Sequence, residues 1–226
     1  KSIRLIYDRK GIALDLSNLP FEDAVFKEIF AKGKTGCVFQ FESGGMKQML
    51  VQFEPECFED IILLVASYRP GPMQYIPDMI DIKHKRKKAE YIIPQLEGIL
   101  EKTYGQCIYQ EQLMDIFHKC AGFSLGKADL IRRYMSKKKE DLFLKEKEPF
   151  VNGIIKNGAL RDDAEKYWNE MVDFAKYAFN KSHAATYALI SYQTAYLKYH
   201  YPMEYMCGVL MCAKIEKLPI YMYECK

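Results

Sequence analysis

A mainly α-helical fold is what this sequence predicts, and three observations predict it. Apolar residues recur at the i, i+3, i+4 spacing that places them on one helix face. Extended-looking stretches are rare and brief, enough for a few short strands at most. Proline, glycine and serine punctuate the periodic segments often enough for about ten helices.

The elements follow in order. Ser2-Ile3-Arg4-Leu5-Ile6-Tyr7 alternates, as a short strand or a helix end does. Pro20 opens a helix on which Phe21, Val25, Phe26, Ile29 and Phe30 share one face, and Gly33 stops it. Cys37-Val38-Phe39-Gln40-Phe41 reads as extended. Ser43 caps a helix to about Phe53, with Met46, Met49 and Leu50 inward. The next runs from Pro55 to Ser67 on Phe58, Ile61, Ile62 and Val65. Arg69-Pro70-Gly71-Pro72 breaks it, and two prolines around a glycine make a rigid turn that holds Tyr68 and Arg69 in place. Helices follow over Ile76 to Lys87 and Pro94 to Leu100, and Tyr109-Gln110-Glu111-Gln112 leads another to Ala121.

Ser124 caps a helix to about Lys138 whose inward stripe is Leu125, Ala128, Ile131 and Met135. Asp162, Asp163 and Glu165 crowd the start of the next, where the helix dipole favours them, and Trp168, Met171 and Ala175 point inward. Ser182 to Tyr199 is apolar almost all round, which predicts a central helix. Ala184, Ala188, Ser191 and Ala195 give it a small-residue stripe for close approach. Pro202 starts a last helix to about Ala213, and the remaining residues read as a frayed end.

The chain has 226 residues, 49% hydrophobic, enough for one sizeable core or two small lobes. The net charge of +3 does not by itself indicate nucleic acid. Its distribution says more: Lys83, Lys85, Arg86, Lys87 and Lys88 form one basic block, and Arg132, Arg133, Lys137, Lys138 and Lys139 another. Each block is either a solvated face or a site for a polyanion. On the second, Arg133 and Lys137 stand four apart, with Arg132 and Ser136 beside them. Seven cysteines without a C-x-x-C pair read as reduced, mostly packed thiols. Nothing spans a bilayer, no phosphate-binding glycine loop is present, and no acidic pair has a metal-binding setting. The first residues read like the middle of a strand, so a piece of a larger, cytoplasmic protein is expected.

The run Ala178-Phe179-Asn180-Lys181-Ser182-His183-Ala184 concentrates donors at the mouth of an apolar helix. Ser182 reads as the N-cap, with Lys181 and His183 flanking it. Helix N-termini carry unpaired N–H groups and partial positive charge, which suits an anion. A capped core helix with His183 as an ordinary hydrogen-bonding residue accounts for the same run.

Taken together, the segments resemble one family: the fingers region of the C-family bacterial replicative DNA polymerases, the alpha subunit of DNA polymerase III. The matching stretches are Thr35 to Ser43, Tyr68-Arg69-Pro70-Gly71-Pro72, Thr103-Tyr104-Gly105 and Tyr109-Gln110-Glu111-Gln112. Ala121 to Leu130, Arg132-Arg133 with Lys137 to Lys139, Phe179 to Ala184, and Ser191 to Pro202 follow in the family's order. The chain departs from the pattern at Lys127, Tyr134, Ser136 and Ala178, and no departure removes a cationic or amide group.

The resemblance implies an irregular multi-helix fingers domain over residues 35–213, a connection from a palm region over 1–34, and a tail or linker over 214–226. It implies DNA-directed DNA polymerisation by a longer enzyme whose Mg2+ is held by palm aspartates outside this chain. No catalytic or metal-binding residue is then expected here. Arg132, Arg133, Lys137, Asn180, Lys181, Ser182 and His183 are expected to bind the triphosphate of a dNTP. Tyr68, Arg69 and Tyr109 would meet a base or the template, and Phe179 stacks there or in the core. Lys85, Arg86, Lys87 and Lys88 would track the backbone of primer-template DNA. Other replisome subunits, such as the sliding clamp, would bind elsewhere on the longer protein. A non-catalytic helical module that binds nucleic acid or protein on the same scaffold is the alternative.

Overall fold

The structure is a computed structural model that describes residues 1–136 and 139–225. Its α-helices open with α1 (Ser2–Lys10), α2 (Asp23–Val25), α3 (Gly44–Phe53), α4 (Phe58–Ser67), α5 (Ile76–Lys83), α6 (Glu97–Leu100) and α7 (Gln110–Asp115). They continue with α8 (Leu125–Ser136), α9 (Glu140–Leu144), α10 (Lys147–Lys156), α11 (Arg161–Tyr177), α12 (Lys181–His200), α13 (Pro202–Leu210) and α14 (Leu218–Tyr223). The mainly α expectation stands. Among the described residues the strand-like pairing is one parallel bridge, Tyr109 with Phe179. The chain forms two compact units, one from Lys1–Val65 with Ala185–Lys226, the other from Ala66–Ala184.

In the first unit α1 packs on α13, and the contact is close because a Cβ on Gly208 would run into Ser2 Oγ. Ser2 to Tyr7 is therefore helix, with Ile6 buried against Leu197, Tyr205 and Met206. The stretch after Pro20 is a short helical turn, α2, followed by a π-helical turn over Phe26–Phe30. Phe26 and Phe30 are buried, but Phe21 is half exposed and stacks on Phe58 at 4.4 Å between ring centroids. Tyr192 is fully buried, and its hydroxyl is satisfied at both ends: it donates to Pro20 O (2.7 Å) and accepts from Glu22 N–H (2.8 Å). Ser43 caps α3 as expected, accepting from Met46 N–H, and Met46, Met49, Leu50 and Phe53 are buried.

Three expectations for this unit fail for visible reasons. Cys37 to Phe41 is not extended but two consecutive turns, with Cys37 and Gln40 in the left-handed region. Thr35 Oγ1 donates to Phe41 O (2.6 Å) and closes them, so that Val38 and Phe41 can both be buried. The chain end is not frayed: α14 packs on α13, and Glu224 pairs with Lys47 (3.2 Å) and Lys198 (3.3 Å). On α12 the small-residue stripe is buried, yet Leu189, Ile190 and Tyr199 reach solvent, so an apolar surface all round does not bury the helix all round.

The second unit is built on an aromatic cluster. Phe117 lies 4.8 Å from Phe150, and Phe143 stacks on Trp168 at 5.0 Å. α10 packs on α11 and α8 on α7. Leu125, expected in the α8 stripe, is exposed because it is the first helical residue, ahead of the packed turns that bury Ala128 and Ile131. The α5 helix ends at Lys83 rather than Lys87, because Lys85 turns left-handed and the chain doubles back on Asp81.

The thiols are less packed than expected. Cys37, Cys107 and Cys120 are buried, while Cys57, Cys207, Cys212 and Cys225 are exposed. Burial pushes the three buried thiols up, to about 11 for Cys37 and Cys120 and about 12 for Cys107, which makes them inert.

Candidate functional site

The described residues singled out as candidate contacts lie in the second unit, Ala66–Ala184. The backbone there is set by the parallel bridge: Phe179 N–H donates to Ile108 O and Gln110 N–H to Phe179 O, both 2.9 Å. Buried Gln112 supports that strand-like step. Its Oε1 accepts from the N–H groups of Ile108 and Tyr109 (2.9 Å each), and its Nε2 donates to Thr103 Oγ1 (2.7 Å) and Ile99 O (3.1 Å). The bridge delivers Asn180 to the start of α12.

Asn180, not Ser182, caps that helix: its Oδ1 accepts from His183 N–H at 2.8 Å, three residues on. Glu111 comes to the same end. Its carboxylate accepts from Lys181 N–H at 3.0 and 3.2 Å and from Asn180 Nδ2 at 3.0 Å. The helix N-terminus therefore already carries an anion from its own chain, which satisfies an N–H group and complements the dipole. Ser182 and His183 are exposed, the His183 ring meets Phe179 edge-on at 5.4 Å, and Lys181 Nζ sits 5.4 Å over the Tyr109 ring.

The expected base-contacting residues are placed differently from one another. Tyr109 is 3% exposed, so its ring has no face for a base; its role is to carry the bridge and back Lys181. Arg69 is committed to the fold as well. Its guanidinium donates to Ala66 O (3.0 Å) and to Tyr177 O and lies 4.4 Å over the Phe179 ring. Its partial burial lowers its pKa from the ordinary value. Gly71 is required beside it: φ is +101°, and a Cβ would strike the Tyr177 ring. The Arg-Pro-Gly-Pro turn thus clamps the residues leading to Asn180. Tyr68 is half-buried.

On α8, one carboxylate organises two arginines. Asp129 Oδ1 accepts from Arg132 Nε (3.0 Å) and a terminal nitrogen (2.8 Å), and Oδ2 from Arg133 Nε at 2.8 Å. The Arg132 hydrogen bond is the main reason that the Asp129 carboxyl is held below its ordinary value. Arg133 keeps 61% of its side chain exposed and Arg132 29%. Lys137 lies outside the described residues. The other basic block is matched more fully: Arg86 pairs with Asp81 (2.8 Å) and Lys87 with Asp78 (3.0 Å), while Lys85 and Lys88 are exposed.

Helix α7 links the two main clusters, since α8 packs on it and its Glu111 holds Asn180 and Lys181. Sequence reasoning passed over Glu111 and Asp129. Asp129 was readable, because it stands three and four residues before the arginines. Glu111 was not, because its partners are 69 and 70 residues away. Among the described residues no group of three His, Cys, Asp or Glu can hold a metal ion. No described helix is long and apolar enough to cross a membrane.

Comparison with known proteins identifies the family. Residues 1–158 match the model of the bacterial DNA polymerase III alpha subunit finger domain. DNA polymerase III subunit alpha of Bacillus subtilis is 44% identical over 98% of this chain and 20% of its own length. The subunit alpha of Halalkalibacterium halodurans is 46% identical over 92% of this chain and 18% of its own, and that of Thermus aquaticus 45% over 92% and 17%. The chain spans about a fifth of the length of the curated relatives it matches.

Proposed function

Because the chain belongs to the bacterial DNA polymerase III alpha subunit finger-domain family, we propose that it acts within a longer, cytoplasmic DNA-directed DNA polymerase. Its task there is to hold the triphosphate of an incoming dNTP and the template of primer-template DNA. The observation that carries this reading is the arginine pair. Asp129 orients two guanidiniums on one helix, and one of them stays largely open to solvent. Guanidinium forks bind phosphate oxygens in pairs, and charge placed ahead of time is what phosphoryl transfer draws on.

In this reading Arg132 and Arg133 grip the triphosphate, with Lys137 as a further cation. Lys181, Ser182 and His183 supply donors at the start of α12, and Asn180 shapes that end. Glu111 keeps the helix N-terminus from trapping the phosphates by itself, so the contacts come from side chains. Lys85 and Lys88 are the members of the first block best placed for DNA phosphates, and Tyr68 the aromatic ring for a base. Mg2+ and its ligands, and contacts with the sliding clamp, belong to the rest of the longer protein.

Single-turnover nucleotide incorporation by the full-length polymerase tests the reading. Arg133→Ala is expected to raise the dNTP concentration needed and lower the maximal rate while leaving the melting temperature unchanged. Unchanged kinetics in a folded variant would sink the role of this helix face.

A further inference from the structure

Three residues, Ala178 to Asn180, join α11 to α12, and their path sets where the side chains at the start of α12 stand. Ala178 leaves the helical region (φ −53°, ψ 131°), so no helix fixes that path. The backbone is fixed from outside instead. Gln110 Nε2 donates to Ala178 O (3.3 Å), the parallel bridge holds Phe179, and Glu111 holds Asn180. The Phe179 ring is held by Arg69, a residue with no part in the reading above.

Arg69 is half-buried. Its Nε donates to Ala66 O (3.0 Å) and a terminal nitrogen to Tyr177 O, while the guanidinium carbon lies 4.4 Å from the centre of the Phe179 ring. Tyr177 is the last residue of α11, so its carbonyl has no partner within the helix and lies at the negative end of the dipole. One cation thus closes α11 and covers the ring two residues on. A planar guanidinium donates in its plane and stacks with its face, whereas an ammonium is a point charge on a flexible stem. The exposed His183 ring packs edge-on against the same Phe179 ring, 5.4 Å between centres. Arg69, Phe179 and His183 therefore form a line of contacts from the end of one helix to a solvent-facing side chain of the next.

We propose that Arg69 is a positioning residue for nucleotide incorporation: it fixes the Phe179 ring, and the ring sets the orientation of His183. The proposal rests on the reading above, in which His183 offers a donor to the triphosphate. Arg69 touches no nucleotide in this role and acts through Phe179. A donor displaced slightly from the reacting group loses much of its effect, so a residue behind it governs rate as well as stability.

A double-mutant cycle in the full-length polymerase that carries this chain tests the assignment, read by single-turnover dNTP incorporation and paired with thermal melts. Arg69→Met should lower the maximal rate about tenfold and leave primer-template affinity unchanged. Arg69→Lys keeps a charge at the end of α11 without the fork, and should lower the rate about threefold. In a His183→Ala background either change should cost less than about twofold more, because the ring it positions is gone. Should Arg69→Met fail to fold, the cycle with Arg69→Lys decides. Full additivity with His183→Ala would overturn the proposal and leave the reading of His183 standing. Wild-type kinetics in folded Arg69 variants, or a rate loss that follows the melting temperature alone, would overturn it as well. Wild-type kinetics in His183→Ala would instead sink the reading of His183, and this proposal with it.

Discussion

Two basic regions of the second unit handle their charge in opposite ways. On α8 two arginines share Asp129, so one carboxylate orients a guanidinium pair. In the turn after α5 the match is one to one, Arg86 with Asp81 and Lys87 with Asp78, and Lys85 and Lys88 are exposed. The α8 pair is held on a helix by a shared carboxylate, whereas the α5 turn offers exposed ammonium groups. Orientation suits the recognition of one phosphate group at a set place, and mobile point charge suits an extended polyanion. The two blocks are equally basic as text, and the neighbouring carboxylates make the difference.

The largest effect that can break this comparison comes from Arg133. Replacing it with alanine in the full-length enzyme is expected to cost about tenfold to a hundredfold in kcat/KM for dNTP, or about 1.5–3 kcal/mol. Arg86→Ala should cost less than twofold in the same steady-state assay. Equal losses for the two would erase the distinction between them.

Removing Glu111 sharpens the comparison at the other cluster. Glu111→Ala strips the start of α12 of its anion and of the bonds to Asn180 and Lys181. Chemical denaturation should register a loss of about 1–2 kcal/mol. Glu111→Gln, which keeps an acceptor, should recover part of it. If alanine costs nothing, the carboxylate does not hold the Asn180–Lys181 end in place.

A smaller effect is expected at the α5 turn. Lys85→Ala with Lys88→Ala should weaken DNA binding a few-fold at low salt. The slope of log affinity against log salt should fall by about one to two. An unchanged slope in fluorescence anisotropy titrations would remove this turn from the DNA path.

The smallest concerns Asp129 itself. Its folded-state pKa is depressed, chiefly by the Arg132 hydrogen bond, from an ordinary value of 3.8. Its contribution to stability is therefore present above that value and lost as pH falls through the lower folded-state pKa. Thermal melts of wild type and Asp129→Asn should differ by a small constant amount at neutral pH and converge in acid. A difference that persists in acid would mean the pair does not depend on the ionised carboxylate.

The sequence by itself determined what depends on near neighbours. Helical class, the Ser43 cap, the buried stripes of α3 and α8 beyond Leu125, and the small-residue stripe of α12 follow from periods and caps a few residues long. The order of the motifs, read as a resemblance, also pointed to the family. Tertiary structure alone decided what depends on residues far apart in the chain. Thr35 and the burial of Val38 and Phe41 turned an extended-looking segment into turns. The bridge between Tyr109 and Phe179 took the Tyr109 ring into the core and brought Glu111 to the start of α12, so that Asn180 became the cap and a carboxylate took the anion's place. Periodicity records which face of an element is apolar; it carries no record of which distant side chain arrives to satisfy a helix end, and burial of polar groups makes that arrival decisive.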